Sequence, residues 1–213
     1  MLTSDNVVNQ VFDMLPKLYK FRSLHDRNIQ SISECSLWFD SAKTFNNPFE
    51  SHHLFNKELQ NDFKVMCFSQ SNDHPILWSQ YGDNFKGMCI EYDLNCYHGE
   101  ADLNCFEVQY TDNPSMLSSP SLVKSKASKL AVSVLGIKHS NWRYEKEYRW
   151  VLPNEEIIGN KLYLNKECIS SVILSEHAPA DRKLKVLMTC QHLGIPVKHA
   201  VAKQDSCTFG TFG

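Results

Sequence analysis

The sequence predicts a single α+β domain with a mixed, mostly antiparallel sheet and flanking helices. Three observations predict it. Short runs of strand length recur along the 213 residues. Helical periodicities separate some of these runs, and others follow one another directly, unlike the strict alternation of a doubly wound parallel sheet. The length suits one core-forming domain. Its expected limits are 1–206, with a strand-helix-strand unit at 160–203, and 207–213 with its two Phe-Gly steps is expected as a loose or partner-docked tail.

Val7, Val8, Val11, Phe12 and Leu15 recur at helical spacing after the cap candidates Ser4 and Asp5, and Pro16 closes the pattern. Leu18 to Arg22 alternates as a strand, with Tyr19 and Phe21 on one face and Lys20 and Arg22 on the other. A second helix ends over Ser31 to Glu34, and Leu37 to Phe39 is a short apolar strand. Phe45 to Glu50 is turn chemistry between aromatic anchors, since asparagine tolerates left-handed backbone and proline fixes φ; a helix follows to Asn61. Phe63 to Ser69 is the best-marked buried strand. A short helix holding Ile76, Leu77, Trp78 and Tyr81 precedes the next strand, Gly87 to Asp93. Phe106 to Tyr110 alternates, and Pro120 to Ile137 reads as the longest helix. Strands at 142–152, 161–164 and 171–174, a helix through Leu184 to Leu193 stopped by Gly194-Ile195-Pro196, and a strand at 197–201 complete the order.

The run Trp142 to Trp150 interleaves two chemistries with the period of a strand. Extended throughout, it sends Tyr144, Tyr148 and Trp150 to one face and Glu145, Glu147 and Arg149 to the other. The aromatic face belongs in a core. The charged face needs solvent, an ion pair or a substrate.

Composition bounds the function. The 42% hydrophobic and 22% charged contents are those of a globular chain. No apolar run approaches the ~20 residues that span a bilayer, and the polar start with Asp5 does not read as a signal peptide, so a cytoplasmic protein without membrane contact is expected. The eight dispersed cysteines read as reduced thiols, and Cys89, Cys96 and Cys105 are too irregularly spaced for structural zinc, so no metal is expected. A net charge of −2 excludes a generally basic nucleic-acid coat. Between Asp112 and Glu145, however, lie only cations: Lys124, Lys126, Lys129, Lys138 and Arg143. They form either a solvated helix face or a field that attracts phosphate.

The blocks Leu18 to Ser23, Leu37 to Phe39, Phe45 to Glu50, Cys67 to Ser69, Leu77 to Tyr81, Lys86 to Asp93 and Trp142 to Arg149 run in order over about residues 17–152. In that order they resemble the bacterial family called domain of unknown function 2971. Two positions depart from the pattern: Asn47 replaces an aspartate and Gln80 stands where a histidine is common. The family name implies no mechanism.

Arg22 on an early strand, Ser69 ending a middle strand and Glu145-x-Glu147 on a late one also resemble the layout of mono-ADP-ribosyltransferases. That resemblance implies an ADP-ribosyltransferase-like fold, NAD as co-substrate, and a nucleic-acid or protein acceptor, in the role of a toxin or phage-defence effector. Cleaving nicotinamide from NAD builds positive charge on ribose, which a facing carboxylate stabilises. Glu147 is expected there, with Glu145 orienting or deprotonating the acceptor. Arg22 is expected to fork onto the pyrophosphate, Ser69 to support the nicotinamide ribose or Glu147, and Trp78 or Tyr81 to stack on the nicotinamide. Two other readings stand beside it. One is a non-enzymatic nucleotide-sensing or protein-interaction module, whose aromatic blocks build the core and whose charged strand face docks a partner; the plain structural reading of Glu147 and Arg149 is an ion network with Arg22 or Glu50. The other is a metal-dependent nuclease, for which Glu91 and Asp93 lack a third carboxylate.

Overall fold

A computed structural model describes residues 14–41, 62–113, 135–202 and 207–211, the last five by backbone alone. The expected turn at Phe45 to Glu50, the helix ending at Asn61, and most of the helices expected at Val7 to Leu15 and Pro120 to Ile137 lie outside the described residues. In chain order the elements are β1 (Leu18–Arg22), α1 (Asp26–Ser33), β2 (Ser36–Trp38), β3 (Asp40–Ser41), β4 (Phe63–Ser69), α2 (Pro75–Tyr81), β5 (Met88–Tyr92) and β6 (Cys105–Glu107). They continue with β7 (Gln109–Thr111), β8 (Ile137–His139), β9 (Glu147–Pro153), β10 (Lys161–Tyr163), β11 (Ile169–Ser175), α3 (Ala180–Leu193), β12 (Val197–Ala202) and β13 (Cys207–Thr211).

The main sheet runs β13-β12-β11-β5-β1-β4-β9-β6, with β3 beside β4. Within it β11 and β12, joined through α3, are parallel, and the other pairings are antiparallel. This is the mixed, mostly antiparallel α+β architecture that the element order predicts. Two small ribbons, β10-β2 and β7-β8, stand apart from it. Residues 207–211, expected as a loose or partner-docked tail, pair along β12 as β13. Their backbone N–H and C=O groups thereby gain partners from an exposed strand edge.

Alternation along the strands sets two apolar faces. Leu18, Met66, Phe68, Ile90, Tyr92, Trp150 and Val172 join Ile29 and Ile32 of α1 and Val186 and Cys190 of α3 in the larger core. Asp26 ties the two helices through Arg182 at 2.6 Å and Lys185 at 2.7 Å. On the opposite face Phe21, Cys89, Ile173 and Ala200 pack beneath Leu77 and Trp78 of α2. The predicted stop of α3 is a left-handed cap at Gly194, φ 68°, whose N–H donates to the Cys190 and Gln191 carbonyls.

Two sequence expectations fail in the region that matters most. Ile137, expected to end a helix, opens β8. The strand expected over 142–152 starts only at Glu147, because Ser140–Glu145 is a 3-10 helix and Lys146 turns left-handed at φ 43°. The period-two pattern is therefore broken between Glu145 and Glu147, and continues from Glu147 onward.

The sheet also parts in its middle. β1 pairs with β5 at five positions, Leu18 opposite Tyr92 through Arg22 opposite Met88, and β4 pairs with β9 at seven. Yet β1 meets β4 only at Tyr19 opposite Ser69, and β4 next gains a neighbour on that side where Val65 faces Asp40 of β3. Among the described residues, Met66, Cys67 and Phe68 have no strand partner on that edge, and a cleft opens there.

Gly87 keeps β1 and β5 in this arrangement. A Cβ there would press into the Arg22 carbonyl oxygen and lie 2.8 Å from the Gly82 carbonyl oxygen. Both obstacles are backbone, so neither can rotate away. Gly87→Ala is expected to lower stability by about 1–3 kcal/mol in urea unfolding, and unchanged stability would contradict this packing.

Candidate functional site in the cleft between β1 and β4

The left-handed turn at Lys146 folds Glu145 back beside Glu147, and β8 delivers Lys138 between them. Lys138 Nζ lies 2.6 Å from Glu145 Oε2 and 3.0 Å from Glu147 Oε2. Arg149, two residues along the same face of β9, donates from Nε to Glu147 Oε1 at 2.8 Å and from Nη2 to Glu147 Oε2 at 3.0 Å. Its Nη1 donates to the Leu135 carbonyl at 2.7 Å. The four side chains are buried, Arg149 to 1% exposure. Among the described residues two cations face two carboxylates, and such pairing is the condition for holding these groups out of water.

The network reaches further. Tyr81 Oη donates to Glu145 Oε1 at 2.8 Å, Ser69 Oγ donates to the Glu145 carbonyl at 2.6 Å, and the Glu147 N–H donates to Tyr110 Oη at 2.8 Å. Lys138 also sits 5.1 Å from the Trp142 ring centroid, a cation–π contact. Desolvation alone would raise the Glu147 carboxyl. The charges of Arg149 and Lys138, with hydrogen bonds from Arg149 and Cys67, outweigh it and hold that carboxyl well below the usual carboxylate range.

This network forms one wall of a cavity of about 490 Å³, within the span of small-molecule sites. The opposite wall is β1 and the start of α1, with Lys20, Arg22 and Arg27. Lys20 Nζ crosses the cleft to the Cys67 carbonyl at 2.7 Å, an oxygen that the interrupted ladder leaves available. Burial, then the charge of Arg22, lowers the Lys20 ammonium to about 8. Burial likewise pushes the Arg22 guanidinium below its ordinary value. Neither the Arg22 nor the Arg27 side chain makes a hydrogen bond or ion pair among the described residues. Glu145 and Glu147 are thus committed to cations of their own wall, whereas the Arg22 and Arg27 side chains opposite have no such partner among the described residues.

Of the six residues singled out by sequence, Arg22, Ser69, Tyr81, Glu145 and Glu147 line this one cavity. Trp78 does not. It is 1% exposed, edge-on to Phe21 at 5.2 Å and to Phe85 at 5.0 Å, with Nε1 donating to the Asn72 carbonyl. A ring enclosed in this way is core, so the expected stacking role is corrected for Trp78. Ser69 Oγ is engaged with Glu145 and the Ser71 N–H. Among the described residues the ion network of Glu147 and Arg149 runs through Lys138 and Glu145 and not through Arg22, and Glu50 lies outside the described residues. Lys138 was placed by sequence in a basic helical field; it is buried. The signal that could have found it is its seven-residue separation from Glu145, close enough in sequence for a tight loop to join them. Gln80 borders the cavity and accepts from Tyr144 Oη at 3.2 Å.

Among the described residues, no group of three or more His, Cys, Asp or Glu side chains could hold a metal ion, and no helix is long and apolar enough to cross a membrane. Cys35, Cys67, Cys89, Cys96, Cys105, Cys168 and Cys190 are free thiols.

The family model described as protein of unknown function (DUF2971) matches residues 77–150. Over that segment the chain is similar to this family. The matched segment runs from α2 to the middle of β9 and so contains Tyr81, Lys138, Glu145, Glu147 and Arg149, the whole ion-paired wall. The cationic wall on β1 precedes it. No curated protein and no solved structure matches the chain.

Glu147→Gln keeps the side-chain volume but leaves Arg149 without its counter-ion. The expected loss is roughly 3–5 kcal/mol of unfolding free energy, read by urea denaturation. Because the folded-state value of Glu147 is depressed, its stabilisation is complete above its ordinary value of 4.5 and is lost as pH falls from there toward the folded value. The urea midpoint of the wild type should therefore fall more steeply between pH 4.5 and about pH 3 than that of Glu147→Gln; parallel slopes would remove Glu147 from this linkage.

Proposed function

We propose that the cleft binds a phosphate-bearing ligand of nucleotide size. The observation that carries this reading is the division of charge across it: both carboxylates are neutralised by their own wall, while Arg22 faces the cavity without a partner beside Lys20 and Arg27. A planar guanidinium in a partly dehydrated cleft prefers an anion that offers two oxygens to its fork of N–H bonds, as a phosphate or diphosphate does. Tyr19, Phe21, Trp38 and Tyr81 supply apolar and aromatic surface for a base or ring.

The catalytic form of the same reading is transfer of ADP-ribose from NAD. What favours it is that Glu145 and Glu147 line the same cavity as Arg22. Their roles differ from the sequence expectation, however. Glu147 accepts three hydrogen bonds from Lys138 and Arg149, so that both its oxygens are engaged by cations. Glu145 accepts one at each oxygen, from Tyr81 and Lys138, and keeps capacity for a ribose hydroxyl. In this scheme Glu145 faces the developing charge on ribose, and Glu147 holds Lys138 and Arg149 in place.

Thermal melting with ADP tests the binding reading, because a ligand that binds only the folded state raises the midpoint. At a hundredfold excess over Kd the expected rise is about 5–10 °C, with Arg22→Lys binding about tenfold more weakly for want of a bidentate grip. No rise with ADP, NAD or pyrophosphate would remove the proposal. Nicotinamide release from NAD tests the catalytic form: release that Glu145→Gln abolishes supports it, and none in the presence of cell extract leaves binding alone.

A further inference from the structure

Lys20 has no task in the scheme above beyond adding charge, and its setting is unusual for a lysine. Most lysines extend their ammonium into water. Lys20 instead points across the parted strands, held by one hydrogen bond to the Cys67 carbonyl, inside a cavity whose neighbouring walls are Phe21, Phe68, Leu77 and Tyr81. Arg22 stands two residues away on the same face of β1. A lysine partly withdrawn from water and set beside a second cation is the arrangement that makes an amine nucleophilic, because both effects disfavour the protonated form.

We propose that Lys20 is a reactive amine that condenses with the carbonyl group of a phosphate-bearing aldehyde or ketone to form an imine. The inference rests on the phosphate-binding reading of the same cleft. Arg22 and Arg27 would grip the phosphate and so hold the carbonyl carbon within reach of Nζ. The neutral Nζ gives its lone pair to that carbon and one proton to the carbonyl oxygen, forming a carbinolamine. Loss of water then leaves the C=N bond, with no change of oxidation state. The remaining N–H bond to Cys67 O orients the lone pair before attack. With its ammonium lowered to about 8 by burial and by Arg22, partly offset by Cys67, Glu147 and Asp40, about half of the amine is neutral at pH 8.

Pyridoxal 5′-phosphate combines the two features required and serves as the probe. The unmodified 213-residue chain is incubated with it at pH 8, reduced with borohydride and mapped by peptide mass spectrometry. The expected result is one saturable adduct, on Lys20, formed at least tenfold faster than with pyridoxal, which lacks the phosphate, and suppressed by ADP. Adducts spread over exposed lysines with no preference for Lys20, or equal rates with pyridoxal, would overturn the proposal. Melting of the unreacted protein with ADP reports the binding reading separately. A rise without a Lys20 adduct sinks the amine alone, whereas neither signal sinks both.

Discussion

The arrangement depends on one constraint: two carboxylates, Glu145 and Glu147, sit where water cannot solvate them, so two cations must come with them. Arg149 is supplied by the same strand face as Glu147. Lys138 comes from β8, so the loop between β8 and β9 must fold tightly enough to bring it back. The 3-10 turn of Ser140–Glu145 and the left-handed residue Lys146 are the local consequence. A regular strand through this segment would set Glu145 and Glu147 about 7 Å apart on one face. The turn instead brings both carboxylates onto one lysine, Lys138.

That balance shapes the chemistry of the cleft. With the acids neutralised on the β9 side, the cations of β1 experience a cavity poor in available negative charge. Asp40 and Asp83 border it, but Asp40 accepts from the Trp38 indole, and neither pairs with Arg22. The parting of β1 from β4 is what makes these cations accessible. Had the ladder continued past Tyr19 and Ser69, Lys20 and Arg22 would have been closed in against Phe68 and Met66 by the large core. Fold and site are thus linked through a single interrupted strand pairing.

Much of this was legible in the sequence. The alternation in Leu18 to Arg22 placed Lys20 and Arg22 on one face, Phe63 to Ser69 read as a buried strand, and Gly194 marked the end of α3; each is a local signal with a local cause. The grouping of Arg22, Ser69, Tyr81, Glu145 and Glu147 was legible only through an ordered resemblance, since three strands, a helix and a 3-10 turn must assemble before those residues meet. What was hidden was set by tertiary contacts. Lys138 looked like one of several solvated lysines because nothing local reveals that a cation will be buried. Trp78 and Tyr81 looked alike at helical spacing, yet one turns into the core and the other reaches the acids. β13 looked like a tail because its partner, β12, owes its open edge to the order of the whole sheet.

The central claim is that the cleft's acids serve the protein's own cations and its β1 cations serve a ligand. A crystal structure determined with ADP bound tests this most directly. The account predicts the diphosphate against Arg22 on the β1 wall, with Glu147 still held by Lys138 and Arg149. A diphosphate bound elsewhere, or a Glu147 released from Arg149 to contact the ribose, would contradict it.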